Sequence, residues 1–353
     1  MDQMPTETEV GNAVPCAHFD IYGYKVRIEC AVPVVLEGLA DDFAFFASGP
    51  AASEVPVRLI EEEPDYTPWS EARASVYTPR NVAYRQAEQS IIDYSGRGIG
   101  VHDLRTGSFR VSSLDHDLLY EVAYLFLLSQ SGEALDDAGF HRLHALGVSV
   151  HGVAALVLLP MGGGKSTLGS ALLEYPEMKL LSDDSPIIAR DGSVHAFPLR
   201  IGLLPGTESK IPAEQLRGFQ RMEFGPKLLV NYKYFADRVA PSAQPGLILL
   251  GERSLNRDCS LWPASRWSTW KAMLANCVVG MGLFQGMEFI FGRGPAEILA
   301  KARVAWTRAA ACRRLISRSH AYHLRLGRDS ARNADVVVAA LLRLAAEQPK
   351  GMR

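Results

Sequence analysis

Hydrophobic and polar residues alternate along much of the first 135 residues, and this alternation predicts β-strands. Residues 18–30 alternate over part of their length, and two further short strand-like runs lie within residues 90–111. Ser-Gly at 95–96 and Thr-Gly at 106–107 interrupt those runs, as turn residues do. Residues 61–80 contain three prolines and an acidic run, which favours a loop or an edge strand. The pattern therefore predicts a β-rich N-terminal region.

A helical pattern begins at residue 115 and continues to residue 131. It contains too many apolar residues for a surface helix, so a buried helix is predicted. Asp115 and Asp117 flank its start, where the positive end of the helix dipole favours acidic side chains. His116, between them, is either a ligand or a solvated residue of the helix start. Patterns of the same kinds predict further elements: strands at 185–204, 247–250 and 322–326, and helices at 268–279, 295–313 and 334–345.

The centre of the chain differs from both patterns. Residues 148–159 are almost continuously apolar, which is typical of one strand buried on both faces. A glycine-rich turn that opens into a helix follows, PMGGGKSTLGSALLE. Residues 178–182 (MKLLS) are short enough to be a strand and end at Asp183-Asp184. Strand, glycine loop, helix and strand form a βαβ unit, normally a right-handed crossover between parallel strands, so the fold class predicted is α/β.

Length and charge restrict the classes of protein to consider. A chain of 353 residues predicts about two domains, and the change of pattern places them at 1–135 and 136–353. The composition, 48% hydrophobic and 22% charged, is that of an ordinary folded protein. With 37 basic and 39 acidic side chains the net charge is −2, which provides no global field for nucleic acid or an anionic membrane. We therefore expect neither as a partner.

The cysteines and the apolar runs indicate a cytoplasmic location. The five cysteines are odd in number and far apart, which argues against a disulfide framework or a zinc site. The acidic N-terminus lacks the order of a signal peptide. The longest apolar run, residues 273–292, is interrupted by Asn276, Gln285 and Glu288, which argues against a membrane span.

The strongest chemical signal is the run from Gly162 to Thr167, at the junction of strand and helix. The consecutive glycines Gly162, Gly163 and Gly164 let backbone N–H groups approach phosphate oxygens, and the helix start, with Thr167, adds its dipole. Lys165 would reach the β- and γ-phosphates of ATP, and the Ser166 hydroxyl would ligate Mg²⁺. The full phosphate-loop pattern has glycine where this chain has Leu159. The alternative is a glycine loop with a chance Lys-Ser.

Asp183 and Asp184 lie 18 and 19 residues after Lys165, at the predicted carboxyl end of the next strand. In an open α/β sheet that end faces the ligand, so both carboxylates are expected near the phosphates. One carboxylate, assigned to Asp183, would hold Mg²⁺, and the other, Asp184, would accept a proton from an attacking hydroxyl. The alternative is a solvated Asp-Asp turn or a helix cap.

Several other residues could be either binding residues or ordinary structural and surface residues. His151 is more simply a core or edge-strand histidine than a ligand. The three tryptophans at 262, 267 and 270 are interpreted as core residues of one helical region. Four basic residues are candidates for binding phosphate or an acidic peptide, although each alone is more often a solvated charge: Lys227, Lys233, Arg238 and Arg253.

The central segment resembles the HPr kinase/phosphorylase family, whose fold is related to the phosphoenolpyruvate carboxykinase type. HALGVSVHGVAALVLLPMGGGKST, residues 144–167, is similar to that family's catalytic segment, and SDDSPIIARDGSVHAFPLRIGL extends the likeness over residues 140–205. The whole layout, with an RLGRD segment before the last helix, looks like HPr-kinase-related proteins encoded near peptide-modifying enzymes. Some of those phosphorylate a serine of a lasso-peptide precursor. The resemblance implies a P-loop core of this type behind a β-rich N-terminal region.

The resemblance also implies roles for individual residues. Lys165 and Ser166 match the phosphate lysine and the magnesium hydroxyl, and His144 matches the active-site histidine. The alternative for His144 is a residue at a helix C-terminus that bonds backbone carbonyls. With a one-residue insertion, Asp184 matches the catalytic aspartate and Asp183 its neighbour. Arg200 falls near the family's Glu-Ile-Arg-Gly segment, but the magnesium-binding glutamate expected there has no counterpart. The arginine after the family's Pro-Gly is also missing, since residues 245–247 are Pro-Gly-Leu. Both departures argue against HPr itself and against the reverse phosphorolysis reaction.

These expectations describe a Mg·ATP-dependent kinase that phosphorylates a hydroxyl, a serine of a peptide or small protein. The acceptor is expected to bind mainly outside the βαβ unit, on the N-terminal region and the surface with Lys227 and Lys233. A homo-oligomer is compatible with the sequence. Two alternatives remain open, a small-molecule kinase acting on an amino acid or sugar, and a nucleotide-binding regulatory module without kinase activity.

Overall fold

The alternating N-terminal pattern forms one eight-stranded sheet in the computed structural model, which describes residues 14–160, 162–203, 211–221, 225–278 and 295–347. Its strands are β1 Cys16–Ile21, β2 Tyr24–Cys30, β3 Val55–Ile60, β4 Arg73–Tyr77, β5 Val82–Gln86, β6 Gln89–Asp93, β7 Gly98–Asp103 and β8 Phe109–Ser113. They lie in the order β1-β2-β3-β8-β7-β6-β5-β4. The β2–β3 and β3–β8 pairs are parallel, and the others are antiparallel. The proline-rich segment 61–80 thus contributes the edge strand β4.

Two helices cover this sheet, α1 (Pro33–Asp42) and α2 (His116–Ala138). The Asp115 side chain caps α2 by accepting a hydrogen bond from the Leu118 amide at 3.0 Å, as the acidic helix start predicts. Most of α2 is buried, and its buried residues lie on all sides of the helix rather than in one stripe, as expected for a helix inside a core. The predicted domain boundary falls in its last turn. The same apolar core extends to Phe197 and Leu199 of the C-terminal part.

The apolar run 148–159 is two strands rather than the single strand predicted. β10 (Leu146–Val150) and β11 (Val153–Leu158) form an antiparallel hairpin. His151 and Gly152 make its two-residue turn, with φ values of 49° and 78°. Two positive φ angles are those of a type I′ turn, whose twist matches that of paired strands. The interpretation of His151 as a core or edge-strand residue is therefore wrong, since it is exposed in the turn.

The second sheet is built around this hairpin and has nine strands. Besides β10 and β11 it contains β9 Phe140–Arg142, β12 Lys179–Ser182, β13 Ile187–Ala189, β14 Val194–His195, β18 Ser242–Arg253, β19 Ser260–Pro263 and β20 His320–Leu326. β11, β18 and β20 are parallel neighbours. β10 pairs antiparallel with both β11 and β12, so β11 and β12 run in the same direction with β10 between them. The predicted parallel relation holds, with one strand inserted.

Helices pack on both faces of this sheet. α3 (Lys165–Leu172) and α6 (Ser330–Glu347) share a core with one face, while α4 (Arg266–Met273) and α5 (Pro295–Ser317) share a core with the other. A strand with apolar neighbours on both sides is apolar at every position, which accounts for the continuous apolar run at residues 148–159.

Most of the second apolar run, residues 273–292, lies outside the described residues. Of the helices described, none is long and apolar enough to cross a bilayer.

A small third sheet stands beside these layers. It has three antiparallel strands in the order β15-β17-β16: β15 Ile201–Leu203, β16 Leu216–Gln220 and β17 Pro226–Val230.

The tryptophan prediction is wrong in two respects. Trp262 belongs to β19 rather than to a helix, and Trp267 on α4 is 74% exposed. An apolar side chain on a short helix does not by itself show which way that helix faces.

A buried polar cluster joins the N-terminal helices to this third sheet. Asp42, at the end of α1, is 1% exposed and faces two arginines, with its oxygens 3.3 Å from Arg200 Nη1 and 3.0 Å from Arg217 Nη2. The Tyr120 hydroxyl donates to Asp42 and accepts from both arginines. Arg200 also lies 3.6 Å from the centroid of the Tyr124 ring. The buried carboxylate thus has both charge partners and hydrogen bonds.

The Asp42 cluster predicts a large loss of stability in Asp42→Asn. The substitution leaves two part-buried guanidinium groups without their carboxylate, which typically costs about 3–5 kcal/mol. The free energy of unfolding in urea measures this loss. Arg58→Ala is the matched control, because its 2.9 Å pair with Glu29 is exposed and such pairs contribute less than about 1 kcal/mol. Equal losses in the two variants would contradict the structural role of Asp42.

Candidate functional site

The glycine loop between β11 and α3 is held in a conformation that requires glycine. Gly162 and Gly164 have φ values of 72° and 96°. A Cβ on Gly163 would lie 2.8 Å from the Pro160 carbonyl oxygen, which accepts a hydrogen bond from the Gly163 amide at 2.9 Å. Side chains at these positions would strain the backbone or overlap it. This tight turn therefore needs glycine at three consecutive positions.

The loop leads directly into the first turn of α3. Gly164 is the N-cap, and no side chain caps the helix, so the first amides are not bonded by a capping group. Unpaired amides and the helix dipole together favour an anion at this end. Thr167 is exposed, and Ser166 is partly buried. Gly162, Gly163, Gly164, Ser166 and Thr167 thus surround one helix start, as the motif predicts.

Lys165 extends from this turn into a buried position, where it is 8% exposed. Its Nζ donates to His144 Nε2 at 2.9 Å and to the Leu159 carbonyl oxygen at 3.0 Å, and it lies 3.5 Å from Asp184 Oδ1. An ammonium group only donates, so Nε2 of His144 accepts and the ring carries its proton on Nδ1. That Nδ1 lies 3.3 Å from Asp184 Oδ1, without good hydrogen-bond alignment. The structure brings His144, Lys165 and Asp184 into one cluster.

The two aspartates are held in different environments. Burial alone would raise the pKa of Asp184, but His144, Lys165 and Lys227 outweigh it and hold that pKa below its usual range. Burial and the neighbouring Asp184 raise the pKa of Asp183 to about 6. The Ser166 hydroxyl donates to Asp183 Oδ2 at 2.8 Å, which opposes that rise. Asp184 is therefore ionised at neutral pH, while Asp183 titrates at about pH 6.

Lys227 is a site residue whose place the sequence left open. It lies on β17 and passes over Gly202 of β15, where a Cβ would overlap its side chain. Burial lowers the pKa of Lys227, and the nearby Asp183 partly offsets this effect. The sequence identifies Lys227 as one of four basic candidates but does not place it beside the acid pair, because only the pairing of β15 with β17 brings it there.

The other basic candidates separate into three cases. Arg253, at the end of β18, is exposed, and its Nη1 lies 3.5 Å from where a Cβ on Gly164 would be. Arg238 donates to the carbonyl oxygens of residues 175 and 178 and therefore stabilises a turn. Lys233 is exposed. Arg200 belongs to the Asp42 cluster. Arg253 is the cation of this group that the structure places beside the glycine loop.

The oxygen atoms present suit magnesium better than a transition metal. Mg²⁺ is held in proteins by one or two carboxylates together with hydroxyls, phosphates and water. Ser166 and Asp183 offer such oxygens within 2.8 Å of each other. Among the described residues, no group of three or more histidine, cysteine or acidic side chains is placed to hold a metal by itself. His116 pairs with Glu61 at 2.6 Å on the surface, far in sequence from this cluster.

Comparison with known proteins adds no relative to this picture. None of the protein-family models matches the chain, and no curated protein is significantly similar to it in sequence. The geometry of the site itself is therefore what indicates a function.

The raised pKa of Asp183 predicts that Asp183→Asn stabilises the chain above pH 6, in buffer free of divalent cations. Between the ordinary pKa of 3.8 and the folded value of about 6, the folded state holds a proton that the unfolded state has released. The free energy of unfolding therefore falls as the pH rises through this window. Removing the carboxylate should recover about 3 kcal/mol once the pH is well above 6 and nothing below about pH 4.

Urea unfolding of both proteins across this pH range tests the Asp183 prediction. Asp237→Asn serves as the control, because Asp237 is exposed and lies on a different loop. A difference between wild type and Asp183→Asn that does not change with pH would show that the carboxylate does not titrate as described.

Proposed function

We propose that this protein is a Mg·ATP-dependent phosphotransferase that phosphorylates a hydroxyl, a serine of a peptide or small protein. The observation that carries the proposal is the cluster of Lys165, His144 and Asp184 at the start of α3, with Ser166 and Asp183 beside it. Phosphoryl transfer needs a cradle for phosphates, cations to balance their charge, and a carboxylate that orients the nucleophile. Each of these parts is provided by a named group within this cluster.

Lys165 would balance charge on the β- and γ-phosphates, while the amides of the glycine loop and the α3 start hold the phosphate oxygens. Ser166 and Asp183 would hold Mg²⁺, which would offset the negative charge of the phosphates when bound. Asp184 is ionised, and its side chain is 44% exposed, so a hydroxyl can reach it from solvent. The Asp184 carboxylate would accept the hydrogen bond of the acceptor hydroxyl and then its proton. His144 would position Lys165 by accepting its hydrogen bond, and it lies 3.3 Å from Asp184.

This proposal includes the fold type suggested by the sequence, a P-loop core like that of HPr kinase and phosphoenolpyruvate carboxykinase. The hairpin, glycine loop, α3 and the acid pair after β12 support it. The N-terminal sheet is proposed to help hold the acceptor. Its edge strand β4 is mostly exposed, with Tyr77 76% exposed, and an extended peptide can add to such an edge by backbone hydrogen bonds.

Lys165→Ala is expected to remove phosphoryl transfer. The loss of one preorganised charge at the phosphates typically lowers kcat by about 10²–10³-fold, or roughly 3–4 kcal/mol. Initial rates of transfer from radiolabelled ATP, together with nucleotide binding measured by calorimetry, report the effect. Lys271→Ala controls for removal of an exposed lysine elsewhere and should keep the wild-type rate. Wild-type turnover in Lys165→Ala would end the proposal, as would a complete lack of Mg·ATP binding by the unmutated chain.

The two aspartates are expected to differ in their kinetic roles. Asp184→Asn keeps the shape of the base but not its charge, so kcat should fall by about 10²-fold or more while nucleotide binding persists. Asp183→Asn removes a metal ligand, so the Mg²⁺ concentration needed for half-maximal rate should rise. Titrating Mg²⁺ at saturating ATP separates the two effects. The same profile in both variants would refute this division of roles.

A further inference from the structure

A cavity of about 510 Å³ lies at the carboxyl ends of the parallel strands β11, β18 and β20. Leu159 and Leu250 line it from the strands, and Ala272 and Asn276 line it from α4 and the π-helical turn that follows. In open α/β sheets ligands bind at this edge. The volume is within the range of roughly 300–1,000 Å³ that is usual for pockets that enclose small groups.

The cavity meets the candidate active site at Lys165. His144 and Leu159 line the cavity, and both accept hydrogen bonds from Lys165 Nζ. A lysine at this position reaches the β- and γ-phosphates, while the amides of the helix start hold the phosphates nearer the nucleoside. In the proposed binding mode the cavity would therefore open at the γ-phosphate end of the nucleotide. That end is where the acceptor must approach.

The cavity walls favour an apolar occupant. Apolar side chains from the strand ends and α4 make up a large part of its surface. Its charged wall residue, Glu252, accepts from Arg325 Nε at 2.6 Å, so its charge is already balanced. His323 is held in place by stacking on Trp262, with ring centroids 5.4 Å apart. A charged side chain buried in the part of the cavity away from Lys165 would therefore lose its hydration without gaining a partner.

We propose that this cavity binds a large apolar side chain of the acceptor peptide, next to the serine that receives the phosphate. The inference rests on the proposed phosphotransferase function and names the substrate class that this site selects. The apolar side chain would hold its neighbouring hydroxyl at Asp184, because His144 borders the cavity and lies 3.3 Å from that carboxylate. The cavity thus supplies acceptor specificity that the phosphate loop lacks.

An arrayed library of synthetic peptides tests this inference. Each peptide has one central serine, and the flanking positions are varied singly, with transfer measured from radiolabelled Mg·ATP. We expect one adjacent position to favour large apolar residues over glycine by roughly 10-fold or more. Ala272→Trp fills the cavity and should raise the KM for the favoured peptides at least about 10-fold, with the KM for ATP unchanged within about twofold.

Lys271→Trp is the matched control, because it adds the same side chain to an exposed position of the same helix. His323→Ala is a second variant that widens the cavity and should shift the preference toward larger residues. Two results would overturn the inference while transfer itself persists: no preference at any flanking position, or a higher KM for ATP in Ala272→Trp. Failure of the proposed function is distinct from these, since it would appear as the absence of Lys165-dependent transfer to every peptide of the library.

Discussion

The rest of the site depends on two neighbouring carboxylates that follow β12, those of Asp183 and Asp184. Asp183 and Asp184 cannot both ionise in a partly buried place without compensating cations or hydrogen bonds. Asp184 receives that compensation from His144, Lys165 and Lys227, and its pKa falls. Burial and the charge of Asp184 raise the pKa of Asp183 to about 6, although the hydrogen bond from the Ser166 hydroxyl opposes this rise. Two like groups whose pKa values are driven apart in this way are suited to different tasks.

The groups around the acid pair come from elements that are distant in the chain. Lys165 begins α3, His144 precedes β10, and Lys227 lies on the third sheet. The third sheet is tied to the N-terminal helices, because Arg217 of β16 is bound to Asp42 of α1. The N-terminal region is therefore connected to the site, because α1 contacts β16, and β16 pairs with β17, which carries Lys227.

What could be predicted from the sequence follows from how local each feature is. The glycine loop, Lys165, Ser166 and the acid pair are specified by short stretches, so their positions could be predicted. Lys227 could not, because it reaches the acids only through the pairing of β15 with β17. The turn at His151 was missed because apolar residues surround it on both sides, although an X-Gly pair between such runs is a hairpin signal. Strand order and the facing of α4 likewise depend on contacts far apart in sequence.

Lys165 also explains how a carboxylate with a lowered pKa can serve as a base in the proposed reaction. In the structure its ammonium group lies 3.5 Å from Asp184 and stabilises the ionised carboxylate. Phosphate oxygens would bind the Lys165 ammonium group in place of its present partners, the His144 nitrogen and the Leu159 carbonyl, because they carry more negative charge. Asp184 would then lose part of its compensation, and its affinity for a proton would rise. The carboxylate would become a stronger base only when the phosphate to be transferred is present.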